Sequence, residues 1–252
     1  MSVESILKNA FRPGYFPVLT TKIWTRIVEV RLHHDRVRAK TWCHENAVDV
    51  TTFTTIKDPN LWKESLEYAS VLGSEAEIKL RHLDVELGGG GFVELVYFLT
   101  RLLRPTIIVE TGVAAGFTTQ VILEALSRNG SGYLYSSDFP YFRLRDPEKY
   151  IGVLVDDSLK SRWELLTRGD RENLKNITEH IDHIDIFHYD SDKSYRGRAI
   201  ALDIVKNYLK PGSVLIMDDI DDNLYFRDFV YHLKCKYYVF PCKQKYVGLA
   251  FI

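Results

Sequence analysis

Several short stretches of this 252-residue chain combine residue types that can do chemistry. Asp190-Ser191-Asp192-Lys193-Ser194-Tyr195 and Asp218-Asp219-Ile220-Asp221-Asp222-Asn223 are two acidic clusters. Carboxylates brought together repel unless they are protonated or bridged by a cation. Oxygen-only ligation suits a hard ion such as Mg2+. Asp190, Asp218 and Asp219 are therefore candidate metal ligands. Asp221 and Asp222 read as solvated loop acids or helix caps. A third stretch, Glu110-Thr111-Gly112-Val113-Ala114-Ala115-Gly116, holds two glycines that let backbone approach a ligand. It lacks the GxGxxG spacing of a pyrophosphate-binding turn. Asp138, following Ser136-Ser137, can accept two hydrogen bonds from ribose hydroxyls, or serve as a loop or cap residue. Asp170, following Gly169, can cap a helix or accept from an adenine amino group.

These residues fall at the ends of predicted strands. Thr106–Glu110, Tyr133–Ser137, Glu164–Thr167, Ile184–Tyr189 and Val214–Met217 are short and apolar, as strands buried on both faces should be. Helices are predicted between them at Thr118–Ser127, near Glu172–His180 and at Ser194–Leu209, with Pro211-Gly212 as a turn. After a helix around Leu224–Leu233, Tyr237–Phe240 and Tyr246–Ile252 stand too close for a crossover and must form an antiparallel hairpin. The expected fold class is α/β: a doubly wound, Rossmann-like, seven-stranded sheet of five parallel strands and a C-terminal antiparallel hairpin. Such sheets bind ligands at the carboxyl ends of their strands.

Residues 1–90 read as an N-terminal helical extension, and residues 91–252 as the sheet domain. Thr21–Lys40 has helical spacing and many basic residues, best read as a solvated flank whose long stems cover apolar surface. Asn60–Leu72 and Ser74–Leu83 are predicted as two helices, the second opening on a Ser74–Glu77 capping box. Gly88–Gly91 is either a hinge or a loop that lets backbone approach a ligand. Phe92–Leu103, apolar nearly all round, is a buried helix ended by Arg104-Pro105.

The net charge of −1, from 33 basic and 34 acidic residues, argues against nucleic acid as a partner. No apolar run reaches the ~18–20 residues of a membrane span. The N-terminus has no signal-like apolar core, and Ser2 excludes myristoylation. Cys43, Cys235 and Cys242 lack zinc spacing and suit a reducing compartment, so a cytoplasmic protein is expected.

Together these residues resemble the class I S-adenosylmethionine (SAM)-dependent methyltransferases. Glu110-x-Gly112-x-x-x-Gly116 is similar to their first motif, with Asp138 at the ribose-binding position. Asp190-Ser191-Asp192-Lys193 with Asp218-Asp219 resembles the cation-dependent O-methyltransferases of the catechol and caffeoyl-CoA type. The run from about Leu95 to Phe229 resembles the bacterial macrolide-sugar O-methyltransferase and cephalosporin hydroxylase-like branch. It departs from that branch at Lys193, where His is usual. Position 188 lies inside a strand, so His188 is not assigned a catalytic role. The resemblance implies SAM along Glu110, Thr111, Gly112, Gly116, Thr118, Ser137, Asp138, Gly169, Asp170 and Asp190. It implies O-methylation of a small-molecule hydroxyl (sugar, phenol or natural product), assisted by Mg2+, with Lys193 and Asp190 as catalytic residues. The alternatives are a metal-independent methyltransferase acting on nitrogen or a macromolecule, and a SAM-fold scaffold without turnover. Residues 1–90 would cover the site as a lid or form a dimer surface.

Overall fold

A computed structural model of the chain describes residues 33–83, 85, 87, 89–140, 144 and 146–252. The expected helix over 21–40 thus lies largely outside the described residues. The described chain opens with α1 (His33–Asn46), α2 (Val50–Lys57), α3 (Pro59–Arg81) and α4 (Val93–Leu103). There follow β1 (Ile107–Thr111), α5 (Phe117–Asn129), β2 (Tyr133–Ser137), β3 (Trp163–Leu166), α6 (Asp170–Thr178) and β4 (Ile184–Tyr189). It ends with α7 (Tyr195–Val205), β5 (Leu209–Met217), α8 (Tyr225–Leu233), β6 (Lys236–Cys242) and β7 (Lys245–Phe251).

The strands form one seven-stranded sheet in the order β3-β2-β1-β4-β5-β7-β6. β1 to β5 are parallel, and β7 runs antiparallel to both β5 and β6. The strand order reverses between β1 and β4, the position at which open α/β sheets bind ligands. The apolar strands bury both faces. On one, Ile108, Ile186, Val214 and Ile216 pack under Leu95, Phe98, Leu99 and Ile122 from α4 and α5. On the other, Val109, Phe187, Leu215 and Met217 pack under Leu174, Ile177, Ala201 and Val230 from α6, α7 and α8.

The N-terminal helices share the first of these cores. The Trp62 ring meets Phe98 edge-on at 5.9 Å, and Phe53 meets Phe240 at 5.1 Å. The Val48 amide donates to the Val239 carbonyl, tying the chain before α2 to β6.

Two local expectations change. Residues 59–81 are one helix with no break at Gly73-Ser74, and Ser74 Oγ donates back to the Ser70 carbonyl instead of capping a new helix. A lone glycine costs a helix only about 1 kcal/mol, and buried Leu72 and Ala76 on either side hold it against the core. Pro211-Gly212 lies within β5, where the pairing with β4 shifts register between Ile184 and Ile186. An irregularity of this kind admits residues that a regular ladder would reject.

Candidate active site at the carboxyl ends of the strands

The turn after β1 is held by left-handed backbone at Gly112 (φ +85°), Ala114 (φ +51°) and Gly116 (φ +97°). A Cβ on Gly112 would lie 2.3 Å from the Asp190 carbonyl oxygen, so only glycine lets the loops after β1 and β4 pass this closely. Gly116 packs likewise on Gly152, whose amide donates to the Ala114 carbonyl. Thr118 lies buried in the first turn of α5.

Asp138 completes this turn. Its Oδ2 accepts from the amides of Val113 (3.1 Å) and Ala114 (2.7 Å), and its Oδ1 accepts from the Phe139 amide. The acid expected to meet a ribose therefore also shapes the glycine loop. Ser137 Oγ donates to Asp170 Oδ1 and accepts from Asn173 Nδ2. Ser191 Oγ donates to Asp170 Oδ2 and also lies 3.0 Å from Thr111 Oγ1. Gly169 (φ +89°) precedes α6, and its amide donates to the Asp138 carbonyl. Thr111, Ser137, Asp138, Asp170 and Ser191 thus gather at the carboxyl ends of β1 to β4. A set rich in hydroxyls and carboxylates suits the ribose and amino groups of a nucleoside.

Glu110 is different. Its side chain is fully buried, and its Oε2 accepts from Thr119 Oγ1 (2.8 Å) and Ser136 Oγ (2.7 Å). Burial pushes its carboxyl up to about 7, against the pull of those two hydroxyls. The carboxylate expected at the cofactor faces inward instead.

A second cluster lies after β4 and β5. The Lys193 ammonium contacts Asp190 Oδ1 and stands 3.3 Å from Asp219 Oδ2. Burial lowers the Lys193 pKa, against the opposing pull of Asp219 and Asp218. Asn223 Nδ2 donates to the Lys193 carbonyl, fixing the loop that carries it. Asp219 has left-handed backbone (φ +53°). Arg198, fully buried in α7, donates to the carbonyls of Asp218 (3.0 Å) and Asp219 (2.8 Å) and so supports that turn. Ser194 Oγ caps the start of α7 by accepting from the Gly197 amide, and Asp192 Oδ1 accepts from the Ser194 amide.

Asp190, Asp218 and Asp219 are brought to one edge by adjacent strands, as expected. They do not form the expected magnesium ligand set. Among the described residues, no group of three His, Cys, Asp or Glu side chains stands arranged to hold a metal ion. The positive charge between Asp190 and Asp219 is the ammonium of Lys193. Asp218 is nearly buried and turns its Oδ2 onto Gly91 and its Oδ1 towards His188. Asp221 and Asp222 are structural: Asp221 accepts from the Tyr246 amide, and Asp222 pairs with Lys245 (2.7 Å) and Arg36 (3.2 Å).

The glycine segment before α4 also reaches the site. A Cβ on Gly91 would fall 1.9 Å from Asp218 Oδ2, and one on Gly90 would fall 2.7 Å from Phe117 Cβ. These glycines let backbone approach a site carboxylate and the start of α5. Arg198 escaped the sequence reading, and Asn223 and His188 were given no role there, because only the folded loops and strand pairing show what they touch.

Comparison with known proteins agrees with this geometry. Residues 109–220 match the family model of a methyltransferase domain. Ribosomal RNA large subunit methyltransferase E of Methanosphaera stadtmanae is 27% identical over 170 residues, 65% of this chain and 74% of its own. A methyltransferase from Geobacter sulfurreducens superposes with a TM-score of 0.52 at 24% identity, covering 71% of this chain and 88% of its own. The O-methyltransferase TomG of Streptomyces achromogenes, involved in tomaymycin synthesis and solved with SAM, gives a TM-score of 0.55 at 16% identity. That match covers 75% of this chain and 96% of TomG. With this strand order and the glycine turn after β1, the sheet has the Rossmann-like methyltransferase fold, and its residues 109–220 match a methyltransferase domain.

Proposed function

We propose that the protein transfers the methyl group of SAM to a hydroxyl oxygen of a small-molecule acceptor such as a sugar, a phenol or another natural product. One observation carries this: the Lys193 amine is set between Asp190 and Asp219, one loop away from the glycine turn. SAM, when bound, supplies an electrophilic methyl group. Thr111, Ser137, Asp138 and Asp170 would hold its nucleoside end. The acceptor hydroxyl must lose a proton as its oxygen is methylated. Lys193, whose pKa burial lowers, is the group placed to take that proton, with Asp190 and Asp219 fixing the amine. Holding acceptor and cofactor in line supplies much of the remaining rate.

In its ammonium form Lys193 lies where a divalent ion would compensate Asp190 and Asp219, and it must release that proton before it can act as the base. Methyl transfer from labelled SAM to a panel of sugars and phenols is expected to survive EDTA. Loss on chelation, restored by Mg2+, would instead support the metal-assisted form, with Lys193 moved off Asp190. The relative that acts on ribosomal RNA keeps a macromolecular acceptor as the second reading. Labelling of RNA in place of the small molecules would establish it. Absence of SAM binding by calorimetry at millimolar concentration would remove both.

A further inference from the structure

Glu110, His188 and Asp218 form a line across the middle of the sheet. Glu110 on β1 is paired in register with His188 on β4, and His188 with Ile216 on β5. Asp218 follows Ile216 by two positions, so all three side chains share the face covered by α4 and α5. The exposures of Glu110 and His188 are 0%, and that of Asp218 is 4%. His188 Nδ1 lies 4.0 Å from Glu110 Oε1, and His188 Nε2 lies 3.9 Å from Asp218 Oδ1.

Four buried side-chain nitrogen and oxygen atoms of this line have no hydrogen-bond partner among the described residues. They are Glu110 Oε1, His188 Nδ1 and Nε2, and Asp218 Oδ1. Native interiors seldom keep such atoms unpaired, because each has lost its water without a replacement. Here the four face one another in two pairs, each about one ångström beyond bonding range. Small side-chain movements close both gaps without moving a strand.

The chemistry of the atoms fixes the direction of these bonds. Burial raises the pKa of both carboxyls, but Lys193 and Arg198 pull Asp218 back towards its ionised form while Asp138 pushes Glu110 further up; an ionised Asp218 can only accept, so His188 Nε2 carries the hydrogen that faces it. A neutral ring then has Nδ1 as an acceptor, so Glu110 Oε1 must be a hydroxyl. Burial favours that protonated form of Glu110. Thr119 and Ser136 already donate to Oε2, which leaves Oε1 for the proton. The charged groups nearby are Lys193, Asp219 and Arg198 on the Asp218 side and Asp138 on the Glu110 side.

We propose that His188 is the positioning residue of the acceptor end. Glu110 donates to its Nδ1, and its Nε2–H donates to Asp218, holding that carboxylate against Gly91 and away from Lys193. The line would join the strand that carries the SAM turn to the loop that carries Asp219. The role of Asp218 at an acceptor end rests on the proposed O-methyltransferase function; the hydrogen-bond line does not.

The test is nitrogen NMR of the intact protein labelled with 15N-histidine, with His188→Asn assigning the resonance by its loss. Wild-type His188 is expected to be neutral, protonated at Nε2 and slow to exchange its ring hydrogen with solvent. Asp218→Asn is expected to shift that Nε2 resonance, because the acceptor changes from carboxylate to amide. A ring protonated at Nδ1, a doubly protonated ring, or a resonance indifferent to Asp218→Asn would overturn the proposal. The wild-type spectrum decides the tautomer even if a variant fails to fold. A wild-type protein that does not bind SAM would defeat the proposed function and leave the NMR result standing.

Discussion

At the residue scale, Asp138 and Lys193 bind the local chemistry to the fold. Asp138 organises the glycine turn through two loop amides and is among the residues proposed to hold the nucleoside. Asp138→Ala should therefore weaken SAM binding by about tenfold or more, which is roughly 1.4 kcal/mol; calorimetry checks it. Unchanged affinity would remove Asp138 from the nucleoside site. Lys193→Met keeps the stem and removes the amine. Turnover should fall by about 10²–10⁴-fold, the usual worth of a general base, with SAM affinity retained. Equal loss of both would mean that Lys193 only holds the loop together. The acidic clusters were legible as chemistry because Asp recurs after two successive predicted strands. Their cation was harder to identify. The sequence places Lys193 three residues after Asp190, but the bridge to Asp219 needs two loops packed together.

At the element scale, α3 is the least legible helix. Gly73-Ser74 looks like a boundary, yet Leu72 and Ala76 pack on the core from both sides of it. A Cβ on Gly73 would meet nothing within 4 Å. Gly73→Ala should therefore stabilise the protein by about 0.5–1 kcal/mol, read as a higher denaturation midpoint. Destabilisation would show that the helix needs flexibility there. The packing of α2 and α3 also answers whether they can be separated from the sheet domain. Trp62 is 6% exposed and lies against Phe98 of α4. Trp62→Ala should cost about 3–5 kcal/mol and lower the midpoint of the single unfolding transition. A separate early transition with an intact sheet would show instead that these helices melt alone. A lid made of α2 and α3 would have to break this core to open.

At the scale of the whole molecule, the two ends of the sheet do different work. The carboxyl ends carry the site, and the opposite ends carry a polar clasp. Asp185 accepts from the amides of Thr106 and Ile107, and His183 lies between Asp182 and Asp185. The hydrogen bond that His183 donates to Asp182, with help from Asp185, raises the His183 pKa above its ordinary 6.5. A raised folded-state pKa favours the protonated form, so the contribution is full below pH 6.5 and is lost as pH rises through the folded value. Stability should therefore decline above about pH 6.5, and His183→Asn should flatten that decline. Melting temperatures across a pH series measure both. A decline that His183→Asn leaves intact would assign it to another group.

The amino-acid sequence by itself determined the strand positions, their parallel course and the closing hairpin. Those follow from apolar periodicity and from connection lengths, which are local. His188 shows the limit. Its place inside a strand was readable, but which face it took and what stood beside it depended on the pairing of β1, β4 and β5. Gly91 on Asp218, Lys193 between two acids and Trp62 in the sheet's core have the same origin. Side chains far apart in sequence meet only after packing has fixed register and loop geometry. Burial then decides which charges must pair and which must be neutral.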